Sequence, residues 1–89
     1  MTESEISYNE LPEAVKTAFQ ASEYADWKVD DIDKLERNGM ETFYVIEVET
    51  RSGNIEKEAD LYYSEEGALI KEVDKRLAVS LGARVLLRV

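Results

Sequence analysis

The sequence predicts an α+β domain: one N-terminal helix packed on a four-stranded antiparallel meander, with an extra strand from the C-terminal segment. Three observations predict it. Apolar residues recur at spacings of three and four near the N-terminus, then switch to alternation. Three clusters of turn residues, around Asn38-Gly39, Gly53-Asn54 and Gly67, divide the rest into short segments. At 89 residues there is room for one core and one domain.

The helix comes first. Asn9 can cap it, Leu11 and Pro12 occupy its first turn, and Glu10 and Glu13 suit the positive end of its dipole. Leu11, Ala14, Val15, Ala18, Phe19 and Ser22 form one stripe, and the pattern fades at Tyr24 to Asp26. Strand-like segments follow at 27–37, 41–50, 55–63 and 68–74. In the first, Val29, Ile32 and Leu35 break strict alternation, and a bulge near Asp30 and Asp31 restores it. Asn38-Gly39 reads as a two-residue hairpin turn. The second strand sets Tyr44, Ile46 and Val48 against Phe43, Val45, Glu47 and Glu49. The third sets Ala59, Leu61 and Tyr63 against Glu56, Glu58, Asp60 and Tyr62. Short turns between four strands require antiparallel pairing. One helix then covers one face of the sheet, and the other face carries glutamates together with Phe43, Val45 and Tyr62.

Composition narrows the function. The chain has no cysteine and no histidine, so it lacks a thiolate nucleophile, the usual general base and the commonest metal ligands. A formal net charge of −9 repels nucleic acid. No apolar run approaches the roughly 20 residues of a membrane span. Residues 1–10 are acidic and lack the basic, then apolar, pattern of a secretory signal. The charge is uneven. All 20 acids fall within residues 1–75, whereas residues 76–89 carry only Arg76, Arg84 and Arg88. This divides the chain into an acidic body, 1–75, and a basic, apolar tail, 76–89.

The helix opening Leu11-Pro12-Glu13-Ala14-Val15 precedes Trp27-Lys28-Val29 and then Tyr44, Ile46 and Val48. Leu61 and Tyr63 follow, before Glu66-Gly67-Ala68-Leu69-Ile70. In order and spacing these motifs resemble the PepSY-like family, whose fold is similar to that of the beta-lactamase inhibitor protein. The resemblance covers residues 9–74. It implies a helix-plus-sheet unit, often found in tandem in exported bacterial proteins thought to bind or inhibit other proteins. No catalytic residue is carried over. It also implies a periplasmic or secreted location, with the cytoplasm as the alternative because no signal is visible.

The candidate sites follow from the uncovered face. Phe43, Val45 and Tyr62 form the candidate interface for a protein or peptide. Trp27 joins them, although a tryptophan at a helix–strand junction also serves to seal a core edge. Asp26, Asp30, Asp31 and Asp33 lack the spacing and glycine of a calcium loop and read as a solvated strand start, so no metal or cofactor is expected. Glu47 with Glu49, or Glu56 with Glu58, share a face about 7 Å apart. An open sheet offers them no pocket, which makes a carboxylate hydrolase the weaker reading and a non-enzyme the stronger. In the tail, Leu77, Val79, Leu81, Val85 and Leu87 alternate with small or basic residues. They read as a strand through which two copies could self-associate, making a small homodimeric structural subunit the alternative to a binding module.

Overall fold

The computed structural model describes residues 2–37, 39 and 41–76. Five strands and one helix follow in the order β1 (Thr2–Glu5), a 3-10 turn (Tyr8–Glu10), α1 (Glu13–Gln20), β2 (Lys28–Glu36), β3 (Thr42–Ser52), β4 (Ile55–Ser64) and β5 (Leu69–Arg76). All pairings are antiparallel, and spatial order equals chain order. The α+β class and the four central and C-terminal strands stand as expected.

The position of the fifth strand is a correction. The described sheet has five consecutive strands rather than four, and the additional one is β1, at the edge beside β2, where Thr2 pairs with Glu36 and Glu5 with Asp33. Thr-Glu-Ser-Glu is exposed along its whole length. Its backbone pairing therefore leaves no apolar alternation to read. Of the tail 76–89, Arg76 ends β5 opposite Lys57, and residues 77–89, including Leu77, Val79, Leu81, Val85 and Leu87, lie outside the described residues.

The helix also differs at both ends. Leu11 adopts φ −71°, ψ 147°, the extended geometry that a following proline imposes. A helix capped by Asn9 is thereby interrupted, and the chain makes a 3-10 turn before Pro12 stands as the N-cap of α1. The Ser7 N–H donates to the Glu10 carboxylate at 2.9 Å, steadying that turn. At the far end the Ser22 hydroxyl donates to the Phe19 carbonyl at 2.6 Å and accepts from the Tyr24 N–H at 3.2 Å. This local bonding diverts the backbone from the helix after Gln20.

Leu11, Val15 and Phe19 bury the helix stripe against Ile32, Tyr44, Ile46, Val48, Ala59, Leu61 and Tyr63. The expected bulge is present. Pairing of β2 with β3 shifts between Val29 and Asp31, leaving Asp30 as the extra residue. Val29 and Ile32 consequently both reach the core side. The Arg37 N–H donates to the Glu41 carbonyl at 3.1 Å, closing the β2–β3 hairpin, and the Asn38-Gly39 turn lies partly outside the described residues. Among the described residues no helix is long and apolar enough to cross a membrane.

Candidate binding surface

One eight-residue helix covers one face of a five-stranded sheet about 19 Å across. The other face is built from side chains that register brings together in transverse rows. One row runs Glu5, Asp33, Val45, Tyr62, Lys71 across all five strands. The next, toward one end, is Asp31, Glu47, Asp60 and Val73. Toward the other end lie Glu3, Leu35, Phe43 and Ser64.

The apolar end forms a trough of about 440 Å³ lined by Leu35, Arg37, Phe43, Tyr62, Ile70 and Lys71. The Arg37 guanidinium lies 5.9 Å from the Phe43 ring centre, and the Lys71 ammonium 4.6 Å from that of Tyr62. Both cations thus flank aromatic faces, where the ring quadrupole favours positive charge. A second register shift, between Tyr62 and Tyr63, leaves Ile70 as the extra residue of β5, 51% exposed beside the trough.

The acidic middle is crowded. Ligand-capable oxygens of Asp31, Asp33 and Glu47 lie within 4.8 Å of one another. The hydrogen bond that a protonated Glu5 donates to Asp31, and then the Asp31 charge, push the Glu5 carboxyl above its ordinary range. Burial, followed by the charges of Asp31 and Glu3, does the same to Asp33. Like charges forced together favour a retained proton. At the far end Lys28 pairs with Glu49 at 3.7 Å and Arg51 with Glu56, around a polar hollow of about 300 Å³.

The structure places the expected interface residues unequally. Phe43 and Tyr62 share the open face and the trough. Val45 is also on this face but only 5% exposed, so it floors the surface between Asp33 and Tyr62. Trp27 is elsewhere. It packs against the helix-side core, its ring centre 4.8 Å from that of Tyr24 at 76°. The four aspartates do not form a loop: Asp26 precedes β2, Asp30 is the bulged residue, and Asp31 and Asp33 belong to the open face. Leu35, Arg37, Ile70 and Lys71 complete the trough and were missed. Leu35 had a readable signal, since the Asp30 bulge that turns Ile32 inward leaves Leu35, three residues on, facing outward.

One helix against one face of an antiparallel sheet is an architecture that comparison with known proteins assigns to a family. Residues 1–71 match the family described as "Putative beta-lactamase-inhibitor-like, PepSY-like", and the chain belongs to that family. No curated protein matches the chain. Among solved structures, a BLIP-like protein from Bacteroides fragilis is 42% identical, with a TM-score of 0.69, covering 89% of this chain and 54% of its own. A DUF2874 family protein from Bacteroides ovatus is 26% identical, with a TM-score of 0.70, covering 96% of this chain and 60% of its own. A "putative periplasmic" protein from Bacteroides eggerthii shares the fold at a TM-score of 0.74 and 19% identity, covering 81% of this chain and 51% of its own. The chain therefore spans 51–60% of the length of these relatives.

Proposed function

We propose that the chain is a non-catalytic binding module, inhibitor-like in mode, that recognises a protein or peptide through its open sheet face. One observation carries this reading: an uncovered face on which Phe43, Tyr62, Leu35 and Ile70 line a trough beside a block of carboxylates. Apolar groups grouped beside charge on a rigid sheet suit recognition, because rigid elements lose little entropy on binding. The family description and the BLIP-like relative support the inhibitor-like mode. The Bacteroides eggerthii relative supports a periplasmic setting. Site-specific photo-cross-linking in the native host tests the reading. A benzophenone side chain at Ile70, on the open face, should give discrete protein adducts. The same group at Thr17, on the exposed side of α1, should not. No adduct from Ile70, or the same adducts from both positions, refutes it.

A further inference from the structure

We infer that the trough takes a short acidic–apolar segment of a partner protein: an apolar side chain with a carboxylate two residues away on each side. This rests on the reading of the open face as a binding surface and goes further by naming the partner's chemistry. Across the sheet, in strand order, the trough presents a cation, two rings and a second cation. These are Arg37 one residue past β2, Phe43 on β3, Tyr62 on β4 and Lys71 on β5. Each cation sits against the ring beside it, Arg37 at 5.9 Å from the centre of Phe43 and Lys71 at 4.6 Å from that of Tyr62. Leu35 and Ile70 complete the apolar lining.

These two cations stand out in so acidic a chain. Acids outnumber bases by 20 to 11, and every Asp and Glu lies among the described residues. The ion pairs among those residues are Lys28 with Glu49, Lys34 with Glu36 and Arg51 with Glu56, and neither Arg37 nor Lys71 takes part in one. Both residues are exposed, and at an exposed site a ring holds a cation only weakly. An incoming carboxylate therefore gains a charge-assisted hydrogen bond without breaking an ion pair. The stems of Arg37 and Lys71 continue to wall the trough meanwhile.

Distance selects the spacing. β2 and β5 are three strand spacings apart, about 14 Å. In an extended segment laid across the strands, positions i−2 and i+2 are about 13 Å apart and project to the same side as position i. An apolar side chain at i over Phe43 and Tyr62 thus brings i−2 and i+2 to Arg37 and Lys71. Acids at both positions match the two cations in either chain direction, whereas a lysine or arginine meets like charge at each. The net charge of −9 opposes the approach of an acidic segment and keeps the affinity modest.

The test is an NMR titration of the whole chain, labelled with nitrogen-15, against three synthetic peptides blocked at both ends: Glu-Thr-Phe-Thr-Glu, Lys-Thr-Phe-Thr-Lys and Glu-Thr-Ala-Thr-Glu. The first should give saturable amide shifts centred on Arg37, Phe43, Tyr62 and Lys71, with half-saturation by about 1 mM. At the same amides the lysine and alanine peptides should each bind at least about tenfold more weakly. The double variant Arg37→Gln/Lys71→Gln, checked for folding by its own spectrum, should lose about fivefold or more in affinity for the first peptide. No saturable binding of the first peptide, equal binding of either other peptide at these amides, or full affinity in the folded double variant overturns the inference. Adducts from Ile70 together with any of those results leave the binding surface standing and reject only the partner chemistry. Failure of both rejects both.

Discussion

Replacing Gly67 by alanine tests how the last hairpin is pressed onto the helix. Gly67 has φ +87°, and a methyl group there would meet the Ala14 carbonyl oxygen at 2.5 Å and its carbonyl carbon at 2.9 Å. Those atoms belong to the backbone of α1, so they cannot rotate aside. Two costs combine: about 1–2 kcal/mol for a left-handed alanine and about 1–3 kcal/mol for overpacking. Gly53 provides the control, with φ +64° and nothing within 4 Å of the added methyl. Gly53→Ala should carry the first cost alone. Urea denaturation of both variants should place Gly67→Ala about 1–3 kcal/mol below Gly53→Ala at similar m-values. Against a total of about 5–15 kcal/mol, the larger loss is a substantial share of stability. In a domain of this size, each kcal/mol also lowers Tm by about 4–8 °C. If the two variants agree within about 0.5 kcal/mol, the helix and the hairpin are not in contact at Gly67 and the packing argument fails.

Asp33 should weaken the fold at neutral pH. Burial, then Asp31 and Glu3, raises its carboxyl pKa in the folded state. The native state thus holds more protons than the unfolded one between the ordinary and raised values, and stability falls as pH climbs through that window. Asp33→Asn should therefore raise Tm at pH 7 and bring little gain below the ordinary carboxylate range; a loss of Tm at pH 7 contradicts this. Ile46 is fully buried on central β3, so Ile46→Ala should cost about 2–5 kcal/mol in urea denaturation, and a loss below about 1 kcal/mol would contradict its packing. Tyr24 donates its hydroxyl to Glu72, tying the segment after α1 to β5. Tyr24→Phe should cost about 1 kcal/mol by thermal or urea unfolding, and no measurable change would show that solvent replaces this bond without penalty.

The core was legible in the sequence because burial leaves a periodic trace. Tyr44, Ile46 and Val48, with Ala59, Leu61 and Tyr63, announced both the strands and their inward face, and all six are buried. Even the Asp30 bulge showed itself, as a break in alternation between Val29 and Ile32. β1 did not, because an exposed polar edge strand is held through backbone pairing with β2 and has no side-chain pattern. The trough was half legible. Phe43 and Tyr62 follow from parity alone. Ile70 reaches the trough through a register shift within the β4–β5 hairpin, which depends on backbone geometry. Val45 had the right parity, yet its neighbours cover it, and burial on an open face depends on the sizes of surrounding side chains. Trp27 takes the core-edge role that its place at the helix–strand junction suggests, not a place on the open face. Its place beside Tyr24 depends on how the chain leaves α1 through the Ser22 turn.

The identity of strand order and chain order has a kinetic meaning. β2 to β5 are joined by tight connections, so each hairpin closes over a short loop and can zip onto the one before it. β1 is different: its partner β2 arrives only after the 3-10 turn and α1 have intervened. Closing that larger loop brings only four paired residues and no buried side chain. β1 should therefore form late and be weakly protected: its amides at Thr2 to Glu5 are expected to exchange with deuterium through local opening, and those of β3 and β4 only on global unfolding. Such an opening would bare the backbone of β2 beside Asp31 and Asp33, so that a nine-residue strand replaces a four-residue one at that edge of the sheet while the core stays folded.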